Sequence, residues 1–292
     1  MSGNNNAAPR TSSSATTAAT EAPLIAWRIA SNLRLWISTL VRKPRAKAPP
    51  IGFGSFMVFA GVVAVIIASM FLLDAATSEW ARRLPPWATK VGDQISDVGR
   101  SSVFLYPLGL FLLALAALSR RSLPPGPRGV LAVFAARAGF LFVAIGLPSL
   151  FDTVIKRLIG RARPYVGAHD NPFSYMPFVW RPDYASMPSG HSTTAAAAAI
   201  AIGAIWPRVR PLAWLYALLV MSARVVMNVH HPSDVVAGAV VGVVGALMVR
   251  RWFAVRRLVF FAHDLRPLPG PSWTRVKAAA RGIFIGAPAP AA

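Results

Sequence analysis

Apolar residues run almost unbroken through six stretches of the chain, and charged residues collect between these stretches. The stretches are Phe56–Leu73, Val103–Leu118, Val130–Leu150, Ser192–Trp206, Leu212–Met221 and Val235–Val249. Because a helix needs roughly 20 residues to cross about 30 Å of hydrocarbon, we expect the shorter stretches to extend into their flanks. The pattern predicts an all-α fold, a polytopic membrane bundle of six transmembrane helices. The alternative, a set of buried helices in a soluble protein, is disfavoured by so many such runs in one chain.

The composition distinguishes this chain from other strongly basic proteins. Lys and Arg number 31 against 10 Asp and Glu, for a net charge of +21, yet 55% of the residues are hydrophobic. A nucleic-acid-binding protein is rarely so apolar, and charged residues make up 14% here against about 25% in soluble domains. The absence of cysteine excludes a disulfide scaffold, a thiolate zinc site and a cysteine nucleophile. We therefore expect a lipid bilayer as partner and no nucleic acid.

The basic residues are distributed unevenly between alternate loops. If the N-terminus is cytoplasmic, most Lys and Arg fall on cytoplasmic segments, where few Asp or Glu accompany them. This is the positive-inside pattern, and it predicts both termini in the cytoplasm. We expect a disordered basic tail over 1–50, a six-helix domain over 51–252 and a basic cytoplasmic tail over 253–292. Within the last tail, Trp273–Phe284 can form a short interfacial helix.

The second external segment begins with four cations, Lys156, Arg157, Arg161 and Arg163. If the third span continues as a helix, Lys156 and Arg163 share one face, and the proline after Arg163 ends the helix there. A Lys and an Arg on one face can clamp a phosphate. Asp152, one turn before Lys156, is expected to pair with it. The alternative is a set of cations that snorkel to lipid headgroups.

The run Met187–His191 immediately precedes an apolar helix. Its proline and glycine permit a sharp turn into that helix. Ser189 provides a hydroxyl, Gly190 provides an unobstructed backbone N–H, and a helix N-terminus attracts anions. His191 lies in the first turn and can deliver a proton. A capped helix start with an interfacial histidine is the alternative.

A third cluster follows the fifth span, where Arg224 precedes His230 and Asp234. A carboxylate near an imidazole can fix its tautomer and stabilise its cation, which leaves the other ring nitrogen as a nucleophile or base. Arg224 adds a third cation, and Asn228 marks a left-handed turn position. The alternative is an interfacial histidine with Asp234 as the N-cap of the sixth span.

Hydrophobicity and loop charge alone bring the three clusters to one side of the membrane. A single site would then combine three cations, two hydrogen-bond donors and two histidines, which suits a phosphate group. The competing interpretation is a metal site built from His191, His230, His231 and Asp234. We predict no metal and no cofactor, because three cations repel a divalent ion and successive histidines on a helix point apart.

The three clusters, in this order, resemble the signature of the type-2 phosphatidic acid phosphatase / vanadium haloperoxidase superfamily, in its membrane lipid phosphatase branch. The matching pattern is Lys156, Arg163 and Pro164, then Pro188 to His191, then Arg224, His230 and Asp234. The family usually has Ser directly before the arginine of the third motif, where this chain has Ala223. The departure concerns a helper hydroxyl and leaves the core site intact.

The resemblance implies a role for each matching residue. His230 resembles the nucleophile that attacks phosphorus and forms a phosphohistidine, Asp234 its orienting carboxylate, and His191 the general acid. The groups implied to hold the phosphoryl oxygens are Lys156, Arg163, Ser189, Gly190 and Arg224. Such a site needs no metal, since phosphoryl transfer depends mainly on positioning and charge stabilisation.

These expectations combine into an integral membrane lipid phosphatase of the cell envelope, placed in a bacterial inner membrane with its site facing outward. Its substrate is predicted to be a phosphomonoester or pyrophosphate of phosphatidylglycerol phosphate, phosphatidic acid, undecaprenyl pyrophosphate or lipid A. A lipid phosphotransferase that uses the same phosphohistidine, and a non-catalytic phospholipid-binding or transport protein, are the alternatives. Aromatic residues along 165–187 are expected to form either a lid or an interfacial belt.

Overall fold

A computed structural model of the chain describes residues 13–47, 50, 52–166 and 171–284. Within these residues the fold is all-α, and β pairing is limited to isolated bridges between Arg161 and Tyr175 and between Phe260 and Pro267. Two short 3-10 helices cover Pro182–Tyr184 and Pro207–Val209. The α-helices are α1 (Ser13–Val41), α2 (Phe53–Leu72), α3 (Asp74–Arg82), α4 (Pro86–Asp97), α5 (Ser101–Leu118), α6 (Pro125–Ile159), α7 (Gly190–Ile205), α8 (Arg210–Val226), α9 (Pro232–Val255) and α10 (Trp273–Phe284).

Five helical segments in the described part of the chain are long and apolar enough to cross a membrane. They are Gly54–Leu72, Pro86–Leu118, Pro125–Ile159, Pro207–Val226 and Pro232–Val255. The stretch Ser192–Trp206, predicted as a further span, corresponds to α7, whose 16 residues make it shorter than these five. The chain is therefore an integral membrane protein with an all-α fold. The count of six spans and the cytoplasmic location of both termini stay predictions.

Helix α7 is enclosed by its neighbours, which explains how a short alanine-rich helix fits into the bundle. Its residues from Ser192 to Ala199 are buried, and its alanines share a core with α8 and the start of α9. Small side chains allow helices to approach closely. A Cβ on Gly238 of α9 would meet the carbonyl oxygen of Ser189, and one on Gly242 would meet that of Thr193. Helices α7 and α9 are therefore in direct backbone contact beside the site.

The chain divides into two compact units. One contains the described residues of Lys43–Phe111 and Val133–Gly270, and every predicted site residue belongs to it. The other contains the described residues of Met1–Arg42, Leu112–Ala132 and Pro271–Ala292. The second unit thus combines α1 and α10 with the end of α5 and the start of α6.

Several predicted helix limits differ from the observed ones. Part of the tail predicted to be disordered forms α1, because the run from Leu24 to Val41 is rich in apolar side chains that disordered segments lack. Helix α6 ends at Ile159 rather than Arg163, and Gly160 follows it with φ of 63°, the left-handed conformation that terminates helices. The prediction that Trp273–Phe284 is helical is confirmed by α10.

Candidate active site

The N-terminus of α7 lies at the centre of the candidate site. Ser189 is its N-cap residue, and the Ser189 amide donates to the Asp234 carbonyl oxygen at 3.0 Å, which joins the second and third motifs. The Ser192 hydroxyl donates to the Ser189 hydroxyl at 3.0 Å. Gly190 and His191 open the helix, so their amides have no intrahelical acceptor. This arrangement leaves backbone N–H groups at a helix N-terminus, where anions bind favourably.

Lys156 of α6 reaches this helix N-terminus from the first motif. Its Nζ lies 2.5 Å from Asp152 Oδ2, which confirms the predicted ion pair. The Thr193 hydroxyl donates to Asp152 Oδ1 at 3.1 Å, so the pair is fastened to α7. A Cβ on Gly190 would lie 2.9 Å from Lys156 Nζ, and any larger residue would displace the ammonium. Glycine at this position therefore lets the Lys156–Asp152 pair approach the backbone of the helix end.

Arg163 is positioned by loop backbone and not by a helix. Its amide donates to the Asp183 carbonyl at 2.8 Å, and its Nε donates to the Pro182 carbonyl at 3.1 Å. The expected helical face shared with Lys156 is therefore wrong, because α6 has already ended at Gly160. A Cβ on Gly160 would overlap the Met176 carbonyl. Both the left-handed backbone at residue 160 and the closeness of the Met176 backbone therefore require glycine.

Arg224 is a largely buried cation in the last turn of α8. Its Nη1 donates to the Ser96 hydroxyl of α4 at 2.5 Å. Its Nε is buried and has no hydrogen-bond partner among the described residues. After α8, Asn228 adopts φ of 52°, which confirms the predicted left-handed position. The turn that follows carries the chain to His230.

His230 is 3% exposed, and its Nδ1 lies 3.7 Å from Asp234 Oδ2. That separation exceeds a hydrogen bond, and Nδ1 has no other partner within the described residues. Burial lowers the pKa of His230 to about 4, the nearby Asp234 carboxylate opposes this shift, and the charges of Arg163 and Arg224 reinforce it. The imidazole is therefore neutral at physiological pH and retains a free electron pair on one nitrogen.

Asp234 is fully buried and has closer partners than His230. Its Oδ1 lies 2.5 Å from Arg161 Nη1, and its Oδ2 accepts from the Ser186 hydroxyl at 2.6 Å. The His231 amide also donates to Oδ2 at 2.9 Å. His231 is the N-cap residue of α9, and Asp234 is its third helical residue. The alternative in which Asp234 itself is the N-cap is wrong.

Arg161 is one of the four cations of the first motif, but the sequence alone predicts no separate role for it. It is 0% exposed and bridges two buried carboxylates, because its Nη2 donates to Asp74 Oδ2 at 2.7 Å while Nη1 faces Asp234. Ser233 completes the bridge, since its hydroxyl accepts from Arg161 Nη1 at 2.7 Å and donates to Asp74. A buried cation of this kind must be paired, and Arg161 is held by two carboxylates and a hydroxyl.

The segment predicted to be the first external one supplies Asp74, a partner of Arg161. It forms α3, which buries Asp74, Ser78 and Ala81, and α4, which buries Gly92 and Ser96 four residues apart. The Ser78 hydroxyl lies 3.2 Å from Nδ1 of the buried His231. Small and polar residues at helical spacing were the available signal, but the charge balance of the segment hid it.

His191 stands between the three motifs. Burial lowers the pKa of His191 to about 3, and the charges of Arg224, His230 and Lys156 reinforce this shift. A bound phosphate brings negative charge, which shifts this pKa upward and favours the protonated imidazole. A Cβ on Gly99, in the turn after α4, would lie 3.3 Å from His191 Cδ2, so this turn is packed against the ring. Among the described residues, no three His, Asp or Glu side chains are arranged to hold a metal ion. The arrangement that does exist is a cationic pocket at a helix N-terminus, which suits a phosphate.

Residues 137–258 match the PAP2 superfamily, and this range contains all three motifs. The match covers less than half of the chain, so it is a similarity of this part of the chain to that superfamily.

Two similar proteins are lipid A 1-phosphatases of the genus Rhizobium. The protein of Rhizobium johnstonii is 29% identical over 223 residues, which cover 76% of this chain and 86% of that protein. The protein of Rhizobium etli is 29% identical over 216 residues, which cover 74% of this chain and 88% of that protein.

Two crystal structures of bacterial proteins align with this chain. The transmembrane PAP2-type phosphatidylglycerolphosphate phosphatase of Bacillus subtilis aligns with a TM-score of 0.46 at 23% identity, over 67% of this chain and 92% of that one. LpxE of Aquifex aeolicus aligns with a TM-score of 0.44 at 20% identity, over 61% of this chain and 95% of that one.

Proposed function

We propose that this protein hydrolyses a phosphomonoester or pyrophosphate of a membrane lipid through a phosphohistidine on His230. The observation that carries the proposal is the convergence on the α7 N-terminus. Lys156 Nζ lies beside Gly190 there, and the Ser189 amide is bonded to the Asp234 carbonyl. Cations, helix amides and two histidines are thus brought together at this helix end.

In the first step, His230 Nε2 attacks phosphorus. A P–N bond forms while the bond from phosphorus to the lipid oxygen breaks, and His191 gives its proton to the leaving oxygen. Lys156, Arg163 and Arg224, with the Ser189 hydroxyl and the Gly190 amide, hold the phosphoryl oxygens. These charges stabilise the transition state, in which negative charge is spread over the equatorial oxygens.

In the second step, water attacks the phosphohistidine. The P–N bond breaks, the water proton passes to His191, and inorganic phosphate leaves with His230 neutral again. Asp234 faces Nδ1 throughout and stabilises the positive charge that develops on the ring. Arg161 acts as a positioning residue, because it binds Oδ1 of Asp234 while the other carboxylate oxygen, Oδ2, faces His230.

The substrate we propose first is a lipid A phosphate. Two relatives at 29% identity bear the name lipid A 1-phosphatase, and they are matched over most of their length. The positive-inside pattern supports six spans with both termini in the cytoplasm. The site then lies at the extracytoplasmic face of a bacterial inner membrane, where lipid headgroups reach it while their tails stay in the bilayer.

The test is a substrate panel with purified protein in detergent. Lipid A, phosphatidylglycerol phosphate, phosphatidic acid and undecaprenyl pyrophosphate are each incubated with it, and released inorganic phosphate is measured with and without an acceptor alcohol. We expect release from lipid A 1-phosphate without the acceptor. Transfer to the acceptor alone would identify a phosphotransferase, and no release from any lipid would support a binding protein instead.

The nucleophile is tested by His230→Ala, with His263→Ala as the matched control. His263 is a histidine outside the site with 76% of its side chain exposed. We expect His230→Ala to lower kcat by about a thousandfold or more, since a covalent nucleophile is lost. The control should retain full activity. Full activity of His230→Ala would refute the phosphohistidine mechanism.

A further inference from the structure

A second cationic cleft lies outside the site, in the unit that contains α1 and the α5–α6 turn. Its volume is about 950 Å³, and arginine side chains from both elements line it. These are Arg28, Arg34, Arg120, Arg121 and Arg128, with Trp27 at the same wall. None of the described residues that line the cleft is acidic. The cleft therefore suits an anion and repels a cation.

Helix α1 has its polar side chains turned inward at this cleft. Arg28 Nη1 donates to the Ala117 carbonyl at 3.0 Å, and Asn32 Nδ2 donates to the Ala116 and Ser119 carbonyls, each at 2.8 Å. These are carbonyls at the end of α5 that lack intrahelical donors. Trp27 and Leu35 of the same helix also line the cleft, and they are 64% and 59% exposed. Exposed apolar side chains among basic residues are stable where the surroundings are the interface of a lipid bilayer.

The elements beside the cleft indicate where it lies relative to the bilayer. It adjoins the end of α5 and the start of α6, which belong to the candidate spans Pro86–Leu118 and Pro125–Ile159. Ends of spans lie at the level of lipid headgroups. Exposed tryptophan, such as Trp27, is typical of the headgroup level of a bilayer. The cleft is thus located at a bilayer surface and is open to lipid phosphates.

Four of its arginines are available to a ligand. Within the described residues, Arg34, Arg120, Arg121 and Arg128 are exposed and have no carboxylate within ion-pair distance. Arginine binds phosphate oxygens bidentately and is weakly hydrated, so clustered arginines favour phosphate over a neutral headgroup. Anionic headgroups provide that phosphate without the compensating positive charge of a choline or ethanolamine group.

We propose that this cleft is a binding site for the phosphate of an anionic phospholipid, separate from the hydrolytic site. The lipid headgroup contacts Arg120, Arg121 and Arg128, and its acyl chains lie against the apolar side of α1. The inference concerns the unit that holds no catalytic residue, so it does not depend on the proposed mechanism.

The experiment compares lipids bound to the full-length protein by native mass spectrometry. Protein in nanodiscs of equal parts phosphatidylglycerol and phosphatidylcholine is released into the spectrometer, and the retained lipids are counted. We expect preferential retention of phosphatidylglycerol. Each basic side chain near an anionic surface contributes about fivefold in affinity, so replacing Arg120, Arg121 and Arg128 together by Gln should weaken retention about a hundredfold.

The matched control replaces Arg208, Arg275 and Arg281 by Gln. These arginines are exposed, they do not line the cleft, and the control removes the same charge. It should retain phosphatidylglycerol as the unaltered protein does. Lipid phosphate release is measured on each variant as evidence of folding, and it should be unchanged.

Three outcomes would overturn the proposal. The unaltered protein could retain phosphatidylglycerol and phosphatidylcholine equally. This result would not depend on whether the variants fold. The cleft variant and the control could lose lipid to the same degree, which would indicate a general charge effect. Inorganic phosphate at millimolar concentration could displace the lipid completely, which would make the site one for free phosphate.

Discussion

Asp234 lies closer to Arg161 than to His230, the histidine that it is proposed to orient. Its Oδ1 is 2.5 Å from Arg161 Nη1, whereas its Oδ2 is 3.7 Å from His230 Nδ1. Asp74 holds the same guanidinium at 2.7 Å from the other side. The carboxylate therefore has a fixed position before any positive charge develops on His230. This preorganisation means that little rearrangement is needed when the imidazole becomes cationic.

Replacing Arg161 by Ala should destabilise the protein strongly, because it leaves Asp74 and Asp234 buried without a cation. Breaking a buried pair in this way costs about 3–5 kcal/mol. We expect a clear loss of thermal stability in detergent and loss of activity. Arg157→Ala is the control, since Arg157 donates to the exposed Arg181 carbonyl and stacks near Trp180, contacts worth about 1 kcal/mol or less.

Arg161→Lys separates the positioning role from the structural one. The lysine keeps the charge but cannot bond Asp74 and Asp234 with separate nitrogens in the same plane. We expect most of the stability to return while kcat stays low and KM changes little. Recovery of kcat in step with stability would show that Arg161 contributes to folding alone.

The pH dependence of kcat/KM should follow the neutral form of His230. Burial lowers the pKa of this group to about 4, so the nucleophile stays unprotonated well below the ordinary histidine value of about 6.5. Activity attributable to His230 is therefore expected to persist at about pH 5 and to fall as the pH drops through about 4. An acidic limb near pH 6.5 would contradict this. The measurement is kcat/KM with a soluble phosphomonoester, corrected for the ionisation of the ester itself, whose second pKa is about 6.

Removal of divalent metals should leave the activity unchanged. The proposed phosphate ligands are cations and backbone amides, and three positive charges at one pocket oppose a divalent ion. We expect equal rates of phosphate release before and after dialysis against EDTA. Loss of activity that added Mg²⁺ or Zn²⁺ restores would favour the metal interpretation.

Gly238→Ala should impair the site by forcing α7 and α9 apart. The added methyl group would meet the carbonyl oxygen of Ser189, a proposed phosphate ligand. We expect lower thermal stability and a loss of kcat of about tenfold or more, because displacements near 1 Å are costly in catalysis. Gly139→Ala is the matched control. Nothing lies within 4 Å of a Cβ there, and it should be neutral or slightly stabilising, by about 0.5–1 kcal/mol.

Local sequence patterns predicted much of this molecule correctly. The Asp152–Lys156 pair follows from the spacing of one helical turn, and the left-handed Asn228 follows from the tolerance of asparagine for that conformation. The sharp start of α7 follows from the glycine and proline beside Ser189. Each of these features depends on residues within a few positions of one another, so chain geometry alone determines them.

Predictions failed where a distant segment decided the conformation. Helix α6 ends at Ile159, where Gly160 takes the left-handed conformation; the glycine was an available local signal, but the passing backbone of Met176 could not be read from the neighbouring sequence. The buried pairing of Arg161 with Asp74 joins residues 87 positions apart. In sequence, Arg161 is one of four cations of similar appearance, and only packing distinguishes the buried one.

The sequence by itself determined the helical, membrane-embedded character of the chain and predicted the motif residues, because hydropathy, charge and motif spacing are properties of order along the chain. The tertiary structure alone decided which cation is buried, what holds Asp234, and how α3 and α4 complete the site around His191. Those features depend on long-range contacts between helices, whose free energies come from burial and pairing. The positions of such contacts cannot be read from spacing along one segment.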